Sequence, residues 1–289
     1  MGNANTTESS MVMSSAIFDR FSAFIHKETG IKMGEKKRVM LQSRLLKRIR
    51  ILKLNSFEEY YNYLFSSAGY EQEIADFIHE VTTNKTDFFR EPIHFSYLME
   101  QALPTLFSEG QCTFRSPLRV WSSACSTGEE PYTLAMFLSD YGSRNRGFSY
   151  TVLATDISTT VLRKAQEAVY DEHQIAPVPE PMRKRYFLHS KNRTTGLVRI
   201  VPELRSRVEF RWTNLKEPTL TRLEQMDVIF CRNVIIYFDQ ATQELVVNNL
   251  CDHLHPGGFL FMGHSENLNG LNVPLMQVAP TVYRKRYGS

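Results

Sequence analysis

The sequence predicts an α/β protein with a mixed, mostly parallel sheet, preceded by a helical N-terminal domain and interrupted by a small antiparallel β insertion. Three observations carry this prediction. From residue 16 to about residue 97, apolar residues recur at three- and four-residue spacing and no strand-like run intervenes. From Arg119 onward, short β-type runs alternate with helical patterns, as in successive β-α-β units. Between about residues 171 and 207 that alternation stops at three close prolines, Pro177, Pro179 and Pro181, followed by a polar turn and the alternating run LVRIV.

The elements follow in order. Residues 1–15 read as a disordered tail. Ile17, Phe18, Phe21, Phe24 and Ile25 mark the apolar face of a first helix, and Met40, Leu41, Leu45, Ile49 and Leu52 that of a second. Ser56 followed by Glu59 predicts a capping box opening FEEYYNYLF. EIADFIHEVTT continues the helical domain, and NKTDFFREPIHF begins the linker, giving expected domains of 16–97 and 98–289. In the second domain LRVW, SYTVLATD, VEFRWTN, MDVIFCRN and GGFLFMGH are expected strands, and GEEPYTLAMFLSDY and STTVLRKAQEAVY expected helices. LMQVAPTVYRKR predicts a terminal antiparallel hairpin around Ala279 and Pro280.

Composition narrows the class. With 42% hydrophobic and 22% charged residues, the 289-residue chain is an ordinary globular protein with room for a sizeable core. A net charge of only +3 argues against a general polyanion binder. No apolar run reaches membrane-spanning length, and MGNANTTESS lacks the basic and apolar regions of a secretion signal. Cys112, Cys125, Cys231 and Cys251 form no CxxC pair, which predicts free thiols in a reducing cytoplasm and no zinc site.

Three segments carry chemistry. In VWSSACSTGEEPYTLA a strand runs through small residues into a helix, a loop type that lets a ligand approach the backbone. Only Gly128 remains of a dinucleotide fingerprint. The acids Glu129 and Glu130 would repel a pyrophosphate and suit an ammonium group; they also complement a helix dipole. Asp156 closes the next strand, where an acid either accepts ribose hydroxyls or caps the following helix. In MDVIFCRNVIIYFD a buried strand ends at Arg232 and Asn233, with Tyr237 just beyond, placing a charge and an amide toward the same sheet edge or capping the turn.

Together these segments resemble class I S-adenosylmethionine-dependent methyltransferases and, more narrowly, the chemotaxis receptor methyltransferase family, CheR. The resemblance rests on TTNKTDFFRE, VWSSACSTGEEPY, ATDIS, the pair Asn214-Leu215, FCRNVIIYFD and PGGFLFMGHSEN, and extends from about residue 16 to the C-terminus. It implies S-adenosylmethionine as methyl donor, S-adenosylhomocysteine as product and no metal. It implies that Asn84, Thr86 and Arg90 border the cofactor and active site. Glu130, or less favourably Glu129, holds the methionine ammonium, and Asp156 the ribose. Asn214 and Leu215 flank adenine, Arg232 and Asn233 line the crevice, and Tyr237 sits near the transferring methyl. Arg90 and Tyr237 are the implied catalytic residues.

The implied substrates are glutamates on the cytoplasmic helical domain of chemoreceptors. Some family members also hold a peptide tether at the receptor C-terminus through the β insertion, for which LVRIV is the expected strand edge. A nucleic-acid methyltransferase is the first rival. The low net charge and the absence of an Asn/Asp-Pro-Pro-aromatic motif disfavour it. A degenerate cofactor-binding module is the second, disfavoured by the intact acids and Arg/Asn/Tyr set. On the second helix Lys37, Arg44, Lys47 and Arg48 share one arc, expected either to meet glutamate-rich helices or to be a solvated face.

Overall fold

The computed structural model describes residues 11–110, 112–113, 116–217 and 224–288. Two compact units adjoin in sequence at Thr83 and Asn84. The first contains α1 (Ser15–Thr29), α2 (Arg38–Leu52), α3 (Phe57–Leu64) and α4 (Ser67–Val81). Ser14, Ser56 and Ser66 start α1, α3 and α4, each hydroxyl accepting a backbone N–H from the first turn. The expected capping box at Ser56 is displaced by one residue: the Glu59 carboxylate accepts the backbone N–H of Asn55, at 2.7 Å, rather than that of Ser56. Met13 is buried and Ser14 is a cap, so order begins inside the tail expected over 1–15; residues 1–10 of that expectation lie outside the described residues.

Phe21, Tyr60 and Phe77 form the aromatic centre of this unit, with ring centroids 5.8 to 6.5 Å apart. Leu41, Leu45 and Ile49 are fully buried, whereas Leu52 is half-buried. The basic arc of α2 is largely consumed within the unit. Glu73, Asp76 and Glu80 recur along α4 at helical spacing and face it. Arg48 grips Glu73 through Nε and Nη2, both at 2.8 Å, and reaches Asp76 at 2.6 Å. The Tyr60 hydroxyl donates to the same Glu73 carboxylate, which is 2% exposed. Arg44 donates to the carbonyls of Glu80, Val81 and Thr82, closing the end of α4, and Lys47 pairs with Glu80 at 3.3 Å. The arc is thus a helix-helix seam, not the free basic surface the spacing predicts.

The second unit opens with an irregular segment, residues 84–92. A continuous helix follows: α5 (Ile93–Tyr97), one π turn (Leu98–Ala102) and α6 (Leu103–Ser108). Phe88, Phe95 and Leu98 pack in the same core as the sheet, so the boundary falls at residue 83 rather than at the expected 97. Then come β1 (Leu118–Ser123), α7 (Glu129–Arg144), β2 (Tyr150–Asp156), α8 (Thr159–Glu167) and β3 (Val169–Asp171). They are followed by α9 (Glu180–Tyr186), β4 (Phe187–His189), β5 (Leu197–Ile200), α10 (Pro202–Arg205) and β6 (Val208–Trp212). The chain ends with β7 (Met226–Cys231), α11 (Gln240–Asp252), β8 (Leu254–Met262), β9 (Leu275–Ala279) and β10 (Val282–Lys285).

The main sheet has seven strands in the order β6-β2-β1-β7-β8-β10-β9. The first five are mutually parallel, and β10 runs antiparallel to both its neighbours. Alternate residues of each strand face opposite layers. Val120, Val152 and Val228 join Leu134 and Leu138 of α7, whereas Trp121, Leu153 and Ile229 join Val246, Val247 and Leu250 of α11. The order reverses direction at β1, and the carboxyl ends of β2, β1 and β7 open there into loops, the position at which doubly wound sheets bind ligands.

The insertion is a separate antiparallel sheet, ordered β3-β5-β4. Two expectations change here. The helix predicted to reach Tyr170 ends at Glu167, because Ala168 adopts a left-handed φ of 55° and Val169–Asp171 pairs with β5. The run LVRIV does not offer an edge: β5 is the central strand, and the free edges belong to β3 and β4.

Candidate active site

The loop after β1 is built from strained backbone. Ala124 and Ser126 have φ of 61° and 50°, conformations that non-glycine residues adopt only when the surroundings hold them. Those holds are visible. The Cys125 N–H donates to the Thr155 carbonyl at 2.8 Å and the Ser126 N–H to Asp156 Oδ2 at 2.9 Å. Gly128 follows at φ 98°; a Cβ there would meet Ala165 Cβ and the Tyr170 hydroxyl at 2.9 Å, so only glycine lets α7 start so close to α8.

Asp156, at the end of β2, ties this loop to the next. Its Oδ1 accepts the Ser158 N–H at 2.9 Å, its carbonyl accepts Thr213 N–H at 3.0 Å, and it is 7% exposed. Burial pushes its carboxyl above the ordinary range, although the N–H groups of Ser158, Ser126 and Ile157 pull the other way. The direct hydrogen bonds are one per oxygen, Ser158 to Oδ1 and Ser126 to Oδ2, so the carboxylate keeps capacity to accept a ligand hydroxyl. One residue past Thr213, Asn214 forms a turn in which its side-chain oxygen accepts the Lys216 N–H. Leu215 packs with Leu153 and Ile229 below the loops.

The two acids of α7 separate in role. Glu129 is 2% exposed and turned back into its own loop, accepting the Thr127 hydroxyl at 2.7 Å; burial raises its carboxyl. Glu130 faces the β7 loop. Its Oε1 accepts the Ser122 hydroxyl at 2.7 Å and its Oε2 pairs with Arg232 Nη1 at 2.9 Å.

Arg232 is the hub. Its side chain is 2% exposed, and Nη2 donates to the Arg90 carbonyl at 2.6 Å and to Glu91 Oε2 at 3.0 Å. Glu91 also accepts from Asn233 Nδ2, at 3.4 Å, and from the His264 N–H. Burial alone would raise the Glu91 carboxyl; Arg232, Asn233 and His264 bring it below its ordinary value. A ladder Glu130–Arg232–Glu91 thus joins the start of α7, the end of β7 and the segment 84–92. The Asn84 carbonyl accepts the Ser126 hydroxyl at 2.8 Å and Phe89 N–H reaches the Thr133 hydroxyl at 3.3 Å, so the segment that also carries Thr86 lies along the same loop. The half-buried Arg90 guanidinium bonds back to the Lys85 carbonyl at 3.1 Å.

Sequence reasoning missed two acids, Glu91 and Glu266. Glu266 is 3% exposed and accepts four backbone N–H groups, those of Gly263, Asn233, Val234 and Ile235, at 2.7 to 2.9 Å. It fixes the turn that carries Asn233, φ 58°, and leads to the half-buried Tyr237. Gly263 is required there, since a Cβ would lie 2.9 Å from the Asn233 backbone nitrogen and 2.4 Å from its Nδ2. Both acids stand in the segments TTNKTDFFRE and PGGFLFMGHSEN, but linear sequence does not distinguish an acid that gathers backbone donors from one on the surface.

The structure therefore brings Arg90, Glu130, Arg232 and Asn233 into one bonded group through Glu91, ties Asn84 through Ser126 to Asp156, and places Asn214 and Leu215 just past Thr213, whose N–H bonds the Asp156 carbonyl. All lie at the carboxyl edge of the parallel strands. Sheet order, strained loop and paired acids define the class of S-adenosylmethionine-dependent methyltransferases. A family model described as the CheR methyltransferase SAM-binding domain matches residues 84–283, and one described as the CheR methyltransferase all-alpha domain matches 16–82. Chemotaxis protein methyltransferase 2 of Pseudomonas aeruginosa is 40% identical over 267 residues, covering 92% of this chain and 91% of its own. The chemotaxis protein methyltransferase of Escherichia coli is 39% identical over 273 residues, covering 94% and 92%. That of Borreliella burgdorferi is 36% identical over 267 residues, covering 92% and 93%. The chain belongs to the CheR methyltransferase family.

Proposed function

We propose that this protein transfers the methyl group of S-adenosylmethionine to glutamate side chains on the cytoplasmic helical domain of chemoreceptors, forming methyl esters. The observation that carries the reading is the pair of acids, Glu130 and Asp156, held by neighbouring loops at the carboxyl ends of β1 and β2. The donor set fits the ligand: Glu130 and Asp156 both retain lone pairs, and a methionine ammonium and two ribose hydroxyls are donors. Asn214 and Leu215 flank the adenine, Arg232 and Asn233 line the methionine end, and Asn84, Thr86 and Arg90 border both. Glu130 is already balanced by Arg232, so it accepts the ammonium as a third partner beside Ser122 and Arg232.

The bound sulfonium supplies an activated methyl group. The acceptor carboxylate, with a reference pKa of about 4.3, is ionised at neutral pH, so no general base is needed. Glu130 and Asp156 would hold the donor so that its methyl goes to a carboxylate oxygen, the carbon–sulfur electron pair going to sulfur. Two charges cancel, leaving a neutral ester and a neutral thioether. The protein's work is alignment, for which effective molarities reach about 10⁵–10⁸ M. Arg90 and Tyr237 orient the acceptor. Because the ester is neutral, Arg90 directs the carboxylate without a permanent bidentate clamp, in keeping with a guanidinium whose one hydrogen bond among the described residues is to Lys85.

The β insertion serves as a docking point for a receptor C-terminal peptide. Its free edges are β3 and β4, and Val169 and Leu188, 41% and 51% exposed, flank Arg199 on its outer face. Among the described residues no helix is long and apolar enough to cross a membrane. The enzyme acts from the cytoplasm, where the receptor helices lie. A filter assay with methyl-labelled cofactor separates the readings. Base-labile label on a receptor fragment supports this one; label on nucleic acid, or none, rejects it.

A further inference from the structure

Glu91 Oε2 faces more than Arg232. It lies 3.5 Å from His94 Nδ1 and 3.9 Å from His264 Nε2, and one donor atom from each of these three residues lies within 4.8 Å of the others. His94 is 1% exposed. Its Nε2 is 2.7 Å from Thr281 Oγ1, whose own proton goes to the Pro280 carbonyl at 2.7 Å. In the tautomer that this arrangement allows, Nε2 carries the imidazole proton and donates it to Thr281. Nδ1 is then a bare lone pair, and among the described residues it has no hydrogen-bond partner. It points at a carboxylate oxygen, which is also an acceptor. A cation between the buried Nδ1 and this partly buried oxygen, which already accepts Arg232 Nη2 and the His264 N–H, gives Nδ1 the partner it lacks.

We propose that Glu91 Oε2, His94 Nδ1 and His264 Nε2 bind a divalent cation of the zinc class, which acts as an inhibitor of the crevice rather than a cofactor. Bond lengths of about 2.0–2.2 Å in a tetrahedral zinc site put ligand atoms about 3.3 Å apart. The separations of 3.5 and 3.9 Å are within a side-chain adjustment of that value. His264, 55% exposed on the loop after β8, supplies that adjustment and leaves the fourth position open to solvent. The bond from His94 Nε2 to Thr281 is the outer hydrogen bond that orients a metal-binding imidazole. Two imidazoles and one carboxylate favour zinc, copper, nickel or cobalt over magnesium or calcium, which take oxygen sets.

Inhibition follows from sharing. The same Glu91 oxygen accepts Arg232 Nη2, and Arg232 Nη1 holds Glu130. A cation on Glu91 draws charge from that pair and adds positive potential beside a crevice that, on the function proposed above, receives a sulfonium and an ammonium. By linkage the methyl donor weakens the cation by the factor the cation weakens the donor.

The test titrates the full-length reduced protein with Co²⁺, followed by visible absorption, and with Zn²⁺ against a chromophoric chelator. One ion per chain, tetrahedral-type cobalt bands without thiolate charge transfer, and at least tenfold weaker binding in His264→Ala with little change in melting are expected. Zn²⁺ should weaken S-adenosylmethionine binding in the wild type and not in His264→Ala. Thiolate bands, or cobalt binding indifferent to His264→Ala, overturn the site. Cation binding through His264 without any effect on S-adenosylmethionine affinity overturns the inhibition. Cation binding through His264 in a chain that never binds S-adenosylmethionine upholds the site and overturns the reading of the crevice.

Discussion

Asp156 offers a test in which stability and ligand affinity come apart. Its two carboxylate oxygens each accept a loop N–H, from Ser126 and Ser158. In Asp156→Ala both donors lose their acceptor in a buried place, at about 1–3 kcal/mol each, so the variant should lose roughly 2–6 kcal/mol of stability. Asp156→Asn keeps one oxygen and turns an amide N–H₂ toward the other donor, so about half that loss is expected. The same substitutions weaken charge-assisted bonds to a ribose, worth roughly 1–3 kcal/mol, or about 5- to 150-fold in Kd. Denaturant melts would measure the first effect and calorimetry with S-adenosylhomocysteine the second, at a temperature where Asp156→Asn is folded. A folded Asp156→Asn with wild-type affinity would refute the ribose role and leave Asp156 as a loop anchor only.

Other expectations follow from the same geometry. Glu130→Gln should weaken donor binding at least tenfold, whereas Glu129→Gln, which can still accept the Thr127 hydroxyl, should bind normally by calorimetry. Burial raises the Glu129 carboxyl, so its charge costs stability that is fully present above the folded pKa and relieved as pH falls through it. Glu129→Gln should therefore match or exceed wild-type stability at pH 7 and lose that advantage in acid, as read from melts across pH. Arg90→Ala removes one bond from a half-buried side chain and should cost under about 1 kcal/mol of stability. Its turnover with saturating donor and receptor should nevertheless fall by tenfold or more, and normal turnover would remove Arg90 from the acceptor site. In the helical unit, Arg48→Met leaves Glu73 buried and unpaired, a loss of about 3–5 kcal/mol in denaturant melts, while Lys37→Glu should change stability by under about 0.5 kcal/mol. Leu188→Asp should weaken binding of a receptor-tail peptide without altering donor affinity; unchanged peptide binding would mean that the outer face of the insertion is not the dock.

The sequence disclosed the strand-helix alternation because each element keeps its own period, and the chemistry-bearing segments because they combine small residues, acids and an amide at predicted strand ends. It did not disclose partners. Arg44 and Arg48 read as a basic surface because helical spacing tells which residues share a face, not what faces them; Glu73, Asp76 and Glu80 lie on α4, two helices further on. Val169 and Tyr170 read as the end of a helix because a left-handed Ala168 has no signature in composition. LVRIV read as an edge because strand order in a three-stranded sheet depends on tertiary pairing. Glu91 and Glu266 escaped for a related reason: their importance lies in the donors that folding gathers around them.

The most direct test of the central claim is transfer of an isotopically labelled methyl group from S-adenosylmethionine to a purified helical receptor fragment, located by tandem mass spectrometry. Glutamyl methyl esters on the fragment, lost on mild base treatment and absent with Glu130→Gln at limiting donor, are the predicted result. Label on lysine, on nucleic acid or on no acceptor would contradict it.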